Sequence, residues 1–144
     1  MASKSAAELL PVPGPHGDRE VRLTSPDKVY FPERGITKGE VVRYYLAVSE
    51  PLLRALHERP TNLKRYPDGV DGEAFFAKRL PKGAPPYVET ARVTFPSGRT
   101  ADSLCPTEPA VLVWAANMGT FDFHPWPVRR AGTCLLYTSD AADE

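Results

Sequence analysis

The chain has 144 residues, 42% of them apolar and 25% charged, which suits one packed domain and does not read as a disordered segment. Its 18 Lys and Arg balance 18 Asp and Glu, which excludes a generally basic nucleic-acid coat but not a local basic patch. No apolar run approaches the ~18 residues of a membrane-spanning helix, and Leu9-Leu10 is too short for a signal-peptide core, so the default location is cytoplasmic, away from any membrane.

Sixteen prolines are about double the usual ~5% share, so short strands and loops should outnumber long helices. Residues 1–18 are rich in Ala, Ser, Pro and Gly and are expected to be a flexible leader. Val21 and Leu23 alternate on one face of a short strand, Ser25-Pro26-Asp27 makes a turn, and a second extended stretch runs from Lys28 to a break at Pro32. Thr37 with Glu40 forms a capping box that opens a helix over 38–57. Its buried stripe is Val41, Tyr45, Val48, Leu52 and Leu56. Pro51 should kink or restart that helix, with Ser49 as a second cap.

A strand over 61–66 should pair antiparallel with 73–79 across the turns at Pro67-Asp68-Gly69 and Asp71-Gly72. Residues 92–95 and 99–104 make a hairpin around Pro96-Ser97-Gly98. A helix over 108–118 puts Val111, Trp114, Ala115 and Met118 on one side and stops at Gly119. A short strand over 121–124 follows. The pattern predicts an α+β fold of short antiparallel strands with two main helices. Cys105 and Cys134 have no metal or redox spacing.

The stretch from Lys64 to Lys78 carries the chemistry. Cations flank Phe75-Phe76, a pattern that suits a nucleic-acid strand: Lys and Arg take phosphates and a ring stacks on a base. The other reading is a hairpin whose aromatics fill the core. Residues 134–144, Cys-Leu-Leu-Tyr-Thr-Ser-Asp-Ala-Ala-Asp-Glu, carry three of the acidic residues and no cation, which leaves 18 basic against 15 acidic before them. They read as a translated sequencing adapter, so residues 132–144 are expected to be a non-native tail.

Five motifs occur in one order: Ser25-Pro-Asp-Lys-Val-Tyr-Phe-Pro32, Gly35-Ile-Thr-Lys38, Leu63-Lys-Arg-Tyr-Pro-Asp-Gly-Val70, Ala74-Phe-Phe-Ala-Lys78 and Phe121-Asp-Phe-His-Pro125. Together they resemble the polymerase/primase domain of bacterial ATP-dependent DNA ligase D, of the archaeo-eukaryotic primase superfamily, over about residues 21–130. The family domain is about twice this long, so residues 19–131 would be its N-terminal part.

The resemblance implies a DNA-directed nucleotidyltransferase that adds nucleotides, preferably ribonucleotides, at double-strand breaks during non-homologous end joining. Its partners would be 5′-phosphorylated DNA ends and nucleoside triphosphates, with a Ku-type end binder and a ligase domain as further candidates. Location would be the bacterial cytoplasm, at the nucleoid. The resemblance assigns Lys28 and Lys38 to the 5′-phosphate, with Ser25 as a further polar contact. On spacing alone the two lysines could equally be solvated surface residues. A place in the first turn of the helix would add backbone N–H donors beside Lys38.

Lys64 and Arg65 fall in a basic strand near nucleotide and primer-template, and alternation sends them to opposite faces. Phe75 and Phe76 match a template-stacking pair, of which alternation exposes one, and Lys78 would supply a backbone contact. His124 matches a histidine of the nucleotide pocket, where the alternative is a buried core residue. The family holds Mg²⁺ or Mn²⁺ on an Asp-x-Asp that this chain lacks; Asp68, Asp71, Asp140 and Asp143 do not make one. The 144-residue chain is therefore expected to bind no metal and not to polymerise. The alternative function is a non-catalytic DNA-end-binding module.

Overall fold

The structure is a computed structural model that describes residues 6–131. It opens on a hairpin of β1 (Glu8–Val12) and β2 (Arg19–Leu23), in register from Glu8 opposite Leu23 to Val12 opposite Arg19. Leu10, Val12, Val21 and Leu23 share its buried face. The expectation of a flexible leader over 1–18 is therefore corrected at residues 8–12, while residues 1–5 lie outside the described residues. Leu10 and Val12 carry the period-2 signal of a half-buried strand inside a Pro-rich stretch, and they enter the core.

A tight pair of β3 (Val29–Phe31) and β4 (Ile36–Thr37) leads into α1 (Lys38–Ala47). The capping box forms in full: the Glu40 N–H donates to Thr37 Oγ1, and the Thr37 N–H donates to the Glu40 carboxylate. The expected long helix breaks at Val48 and restarts as α2 (Ser49–Leu56). Pro51 explains the break: its ring would meet the carbonyl four residues back, on Ala47, where α1 stops. Ser49 is not the second cap. It is the first residue of α2, and its hydroxyl donates to the Leu46 carbonyl.

The remaining elements are β5 (Thr61–Arg65), β6 (Phe75–Ala77), β7 (Glu89–Thr94), β8 (Thr100–Cys105), α3 (Pro109–Asn117) and β9 (Thr120–Pro125). Strand β5 is central. It pairs with β9 on one side, and on the other with β6 along its second half and with β8 at Thr61. β8 in turn pairs with β7, and every pairing between these strands is antiparallel, in keeping with the α+β expectation.

Helix α3 starts with Pro109 in its first turn and ends before Gly119, whose φ of 84° supplies the left-handed turn a side chain would resist. A one-sided stripe was expected here. Instead every residue from Ala110 to Ala116 is buried, because the β1–β2 hairpin, α1 and β9 all pack on this helix. The described residues thus hold three helices rather than two.

One ion pair, with its carboxylate buried and its guanidinium half-buried, fastens the hairpin to α3. Arg19 Nε donates to Glu108 Oε1 at 2.7 Å and a terminal nitrogen reaches Oε2 at 3.3 Å, while the Glu108 side chain is only 4% exposed. Breaking such a pair leaves a desolvated carboxylate without compensation. We expect Arg19→Ala to lower the urea unfolding midpoint, because it leaves the buried Glu108 carboxylate unpaired, and Arg19→Leu with Glu108→Leu to recover most of the loss. A single variant with an unchanged midpoint would show that the pair does not fasten the hairpin.

Candidate nucleic-acid interface

Lys38 is the outlier of the chain. It is 6% exposed, and its ammonium donates to Thr24 Oγ1 at 2.9 Å. Among the described residues this is its one hydrogen-bond partner, and no carboxylate lies within ion-pair distance. Burial, and then the nearby charge of Lys28, pull its pKa down to about 8. The alternative of a solvated surface residue does not hold for Lys38. Beyond that one bond, the ammonium has no hydrogen-bond acceptor among the described residues, which is costly for a buried cation.

The expected backbone donors are absent from that site. In the first turn of α1 the Lys38 N–H donates to the Lys28 carbonyl at 2.7 Å and the Gly39 N–H to the Pro26 carbonyl at 2.8 Å, while Glu40 is spent on Thr37. The first-turn donors clamp the 25–28 loop instead of facing outward. Gly39 permits the clamp, since a Cβ there would lie 3.1 Å from the Pro26 carbonyl oxygen. Ser25 occupies the left-handed region at φ 48°, is half-buried, and accepts at its carbonyl the Lys28 N–H.

Lys28 is exposed, and its ammonium already has partners: the Pro67 carbonyl at 2.6 Å and Asp68 Oδ1 at 3.2 Å. This joins the loop before β3 to the turn after β5. The same turn is pinned by the Val70 N–H on the Tyr30 carbonyl, and Gly69, at φ 94°, would place a Cβ 3.0 Å from that oxygen.

The sheet divides the other candidates by face. Lys64 lies opposite Phe76 and Asp122, and Asn62 lies opposite His124, so these side chains share one face of β6, β5 and β9. On it the Lys64 ammonium is 5.4 Å from the Phe76 ring centre and 5.6 Å from that of Tyr66, and the Phe76 ring meets His124 edge-on at 5.2 Å. Lys64 is half-buried and His124 exposed, so the alternative of a core histidine is overturned.

Arg65 goes to the opposite face, as alternation predicts. Its Nε donates to the Met118 carbonyl at 2.9 Å, and its guanidinium covers Phe75 at 5.0 Å. It braces the end of α3, and burial lowers its pKa from the usual arginine range. The expectation that only one phenylalanine is exposed is corrected. Phe75 is 47% and Phe76 52% exposed, on opposite faces, because β6 is an edge strand with little above or below it. Lys78 lies over the Phe95 ring at 5.5 Å, apart from the Lys64 cluster.

Sequence reasoning missed Thr24 and Asn117. The Asn117 side-chain oxygen accepts both the Thr24 N–H at 2.9 Å and its hydroxyl at 3.4 Å. Thr24 adjoins the first motif and could have been noticed; Asn117, far along the chain at the end of α3, carries no local signal. Tyr66 and Asp122, 3.5 Å apart, were also missed. As for a metal, Asp122 is the carboxylate on the His124 face, and no group of three or more His, Cys, Asp or Glu converges among the described residues. This donor set does not fit a two-metal centre.

Comparisons with known proteins give the family. A family model described as the LigD primase-polymerase domain matches residues 37–143, and the chain belongs to that family. The match runs into the stretch expected to be a non-native tail, which lies outside the described residues. Among the relatives are the multifunctional non-homologous end joining protein LigD of Mycolicibacterium smegmatis, 40% identical over 72% of this chain and 14% of its own length, and the bifunctional LigD of Bacillus subtilis, 32% identical over 73% and 16%. A solved polymerase domain of Mycobacterium tuberculosis ligase D in complex with DNA superposes with a TM-score of 0.72 at 38% identity, covering 76% of this chain and 38% of that one. The chain thus spans about a seventh of the curated relatives it matches.

The buried ammonium has a measurable cost. Lys38 is lowered from about 10.5 in the unfolded chain to about 8, so the unfolded state binds more protons between those values and stability rises with pH across that window. Below pH 8 the full penalty is present, and Lys38→Met should relieve it, raising stability at pH 7 by about 2–3 kcal/mol. The gap between variant and wild type should close by pH 10.5. Denaturant midpoints at pH 7 and pH 10 check this; a variant less stable than wild type at pH 7 would refute it.

Proposed function

We propose that the chain is the N-terminal part of an end-joining primase-polymerase domain and binds 5′-phosphorylated DNA ends. The observation that carries the reading is Lys38, a buried ammonium with one hydroxyl partner, beside Lys28. A phosphate dianion supplies the missing charge and acceptors. Lys28 would turn from Asp68 toward the phosphate, or share it, because that ion pair is exposed and weak. Ser25, half-buried in the same loop, brings a hydroxyl that has no partner among the described residues.

The face of Lys64, Phe76 and His124 takes template or nucleotide in this reading. Phe76 offers an exposed ring for stacking, Lys64 a cation for backbone phosphate, and His124 a donor for a triphosphate oxygen. Phe75, on the other face of the edge strand, would wedge against a second base, and Lys78 would contact backbone nearby. Nucleotide addition belongs to the larger protein, with carboxylates outside this chain holding Mg²⁺ or Mn²⁺. A Ku-type end binder, a ligase domain and a place at the bacterial nucleoid are parts of the same proposal. In the mycobacterial and Bacillus relatives the name itself states non-homologous end joining.

A second reading, a DNA-end-binding module without catalysis, is favoured for the 144 residues themselves by the lack of an Asp-x-Asp. Primer extension with Mn²⁺ and ribonucleotides should give no template-dependent product, and any such product would defeat it.

Binding of recessed duplex ends by fluorescence anisotropy tests the phosphate site. Wild type should prefer a 5′-phosphate to a 5′-hydroxyl, and Lys38→Ala and Lys28→Ala should each lose that preference. Unchanged preference in Lys38→Ala would sink the assignment. Phe76→Ala should weaken binding to ends with a single-stranded template by about 1–3 kcal/mol without changing the phosphate preference.

A further inference from the structure

We propose that Thr24 and Asn117 are positioning residues that hold Lys38 in place and in its donor role for the 5′-phosphate. This inference rests on the phosphate-site reading above. The geometry is a strut of three side chains: Asn117 on α3, Thr24 just after β2, and Lys38 at the start of α1.

Hydrogen-bond polarity gives the strut its direction. The Asn117 oxygen can only accept. It takes the Thr24 backbone N–H at 2.9 Å, which fixes which end of the amide faces the threonine. The Thr24 hydroxyl, 3.4 Å from the same oxygen, has one hydrogen, and that hydrogen goes to Asn117. Its lone pairs are then left to accept from Lys38 at 2.9 Å. The bond to Asn117 keeps that hydrogen turned away from the ammonium, so a lone pair faces it. The strut therefore favours the charged lysine, engages one of its three N–H groups, and leaves two for an anion.

It also removes freedom. A lysine on a four-carbon stem otherwise loses rotamer entropy when a ligand fixes it, and a held ammonium has already lost it. Thr24 and Asn117 border a cleft of about 280 Å³ with Glu20, Arg22 and Tyr87, so their other polar atoms stay within reach of water.

The anchor is shared with the nucleotide face. Asn117 is the last residue of α3; the next two carbonyls, of Met118 and Gly119, accept Arg65 Nε at 2.9 Å and the Tyr66 N–H at 2.7 Å. Three consecutive residues thus set the position of the phosphate lysine and of the end of β5 that carries Lys64.

The test measures affinities of the 144-residue protein for recessed duplex ends with and without a 5′-phosphate. Thr24→Val keeps the shape and removes the hydroxyl. It should reduce the phosphate preference about tenfold, the scale of a hydrogen bond to a charged group, while 5′-hydroxyl ends bind as to wild type. Thr24→Ser should restore the preference, which a merely structural role of the γ-methyl would not allow. Asn117→Leu should reproduce the valine result, and it carries the test if Thr24→Val does not fold. If Lys38→Ala abolishes the preference and Thr24→Val and Asn117→Leu keep it, the strut is refuted and the phosphate site stands. If Lys38→Ala keeps it, both are refuted.

Discussion

Helix α3 has no polar side to turn toward water, and the rest of the molecule is arranged to cover it. Ala, Val, Leu and Trp occupy its full circumference, so each turn must meet another element. The β1–β2 hairpin closes one side, fastened by the Arg19–Glu108 pair, while α1 and the β5–β9 pairing close others. A helix enclosed in this way is also a rigid one. Its C-terminal end, where Asn117, Met118 and Gly119 present side-chain and carbonyl oxygens, is a fixed point from which two separate surfaces are hung.

Those surfaces differ in their physics. The Lys38 pocket is a low-dielectric site in which a cation meets a single hydroxyl acceptor, and burial holds its pKa down. The β6–β5–β9 face presents exposed apolar area: the Phe76 ring on an edge strand, with the Lys64 ammonium held over it and over Tyr66, lies at the water boundary. In the proposed reading, one surface would meet charge and the other planar bases. A nucleic-acid end offers both at once, a terminal phosphate and unstacked bases.

Apolar surface also lies beside these sites. Phe31, Ile36, Val41, Tyr44, Tyr45 and Phe121 line a groove of about 430 Å³, and the Phe121 ring stacks on Phe31 and Tyr66. The aromatic stack ties β3, the end of β5 and β9 into one unit, and so keeps the Lys28–Asp68 turn close to the face of Lys64.

What the sequence determined by itself was what depends on neighbours within a few residues. The Thr37–Glu40 capping box, the break before Pro51, the Pro96-Ser97-Gly98 hairpin, the Gly119 stop and the opposite faces of Lys64 and Arg65 follow from local periodicity and turn chemistry, and the structure keeps them. The ordered motifs pointed to the family in the same way. Tertiary structure alone decided the electrostatics. Lys38 is buried because the 25–28 loop folds over the helix start, and its partner Thr24 is fixed by an asparagine 93 positions away. Both phenylalanines are exposed because β6 lies at a sheet edge, and the leader becomes a strand because Leu10 and Val12 find α3. Burial and long-range hydrogen bonds belong to the packed chain, and no window of neighbouring residues contains them.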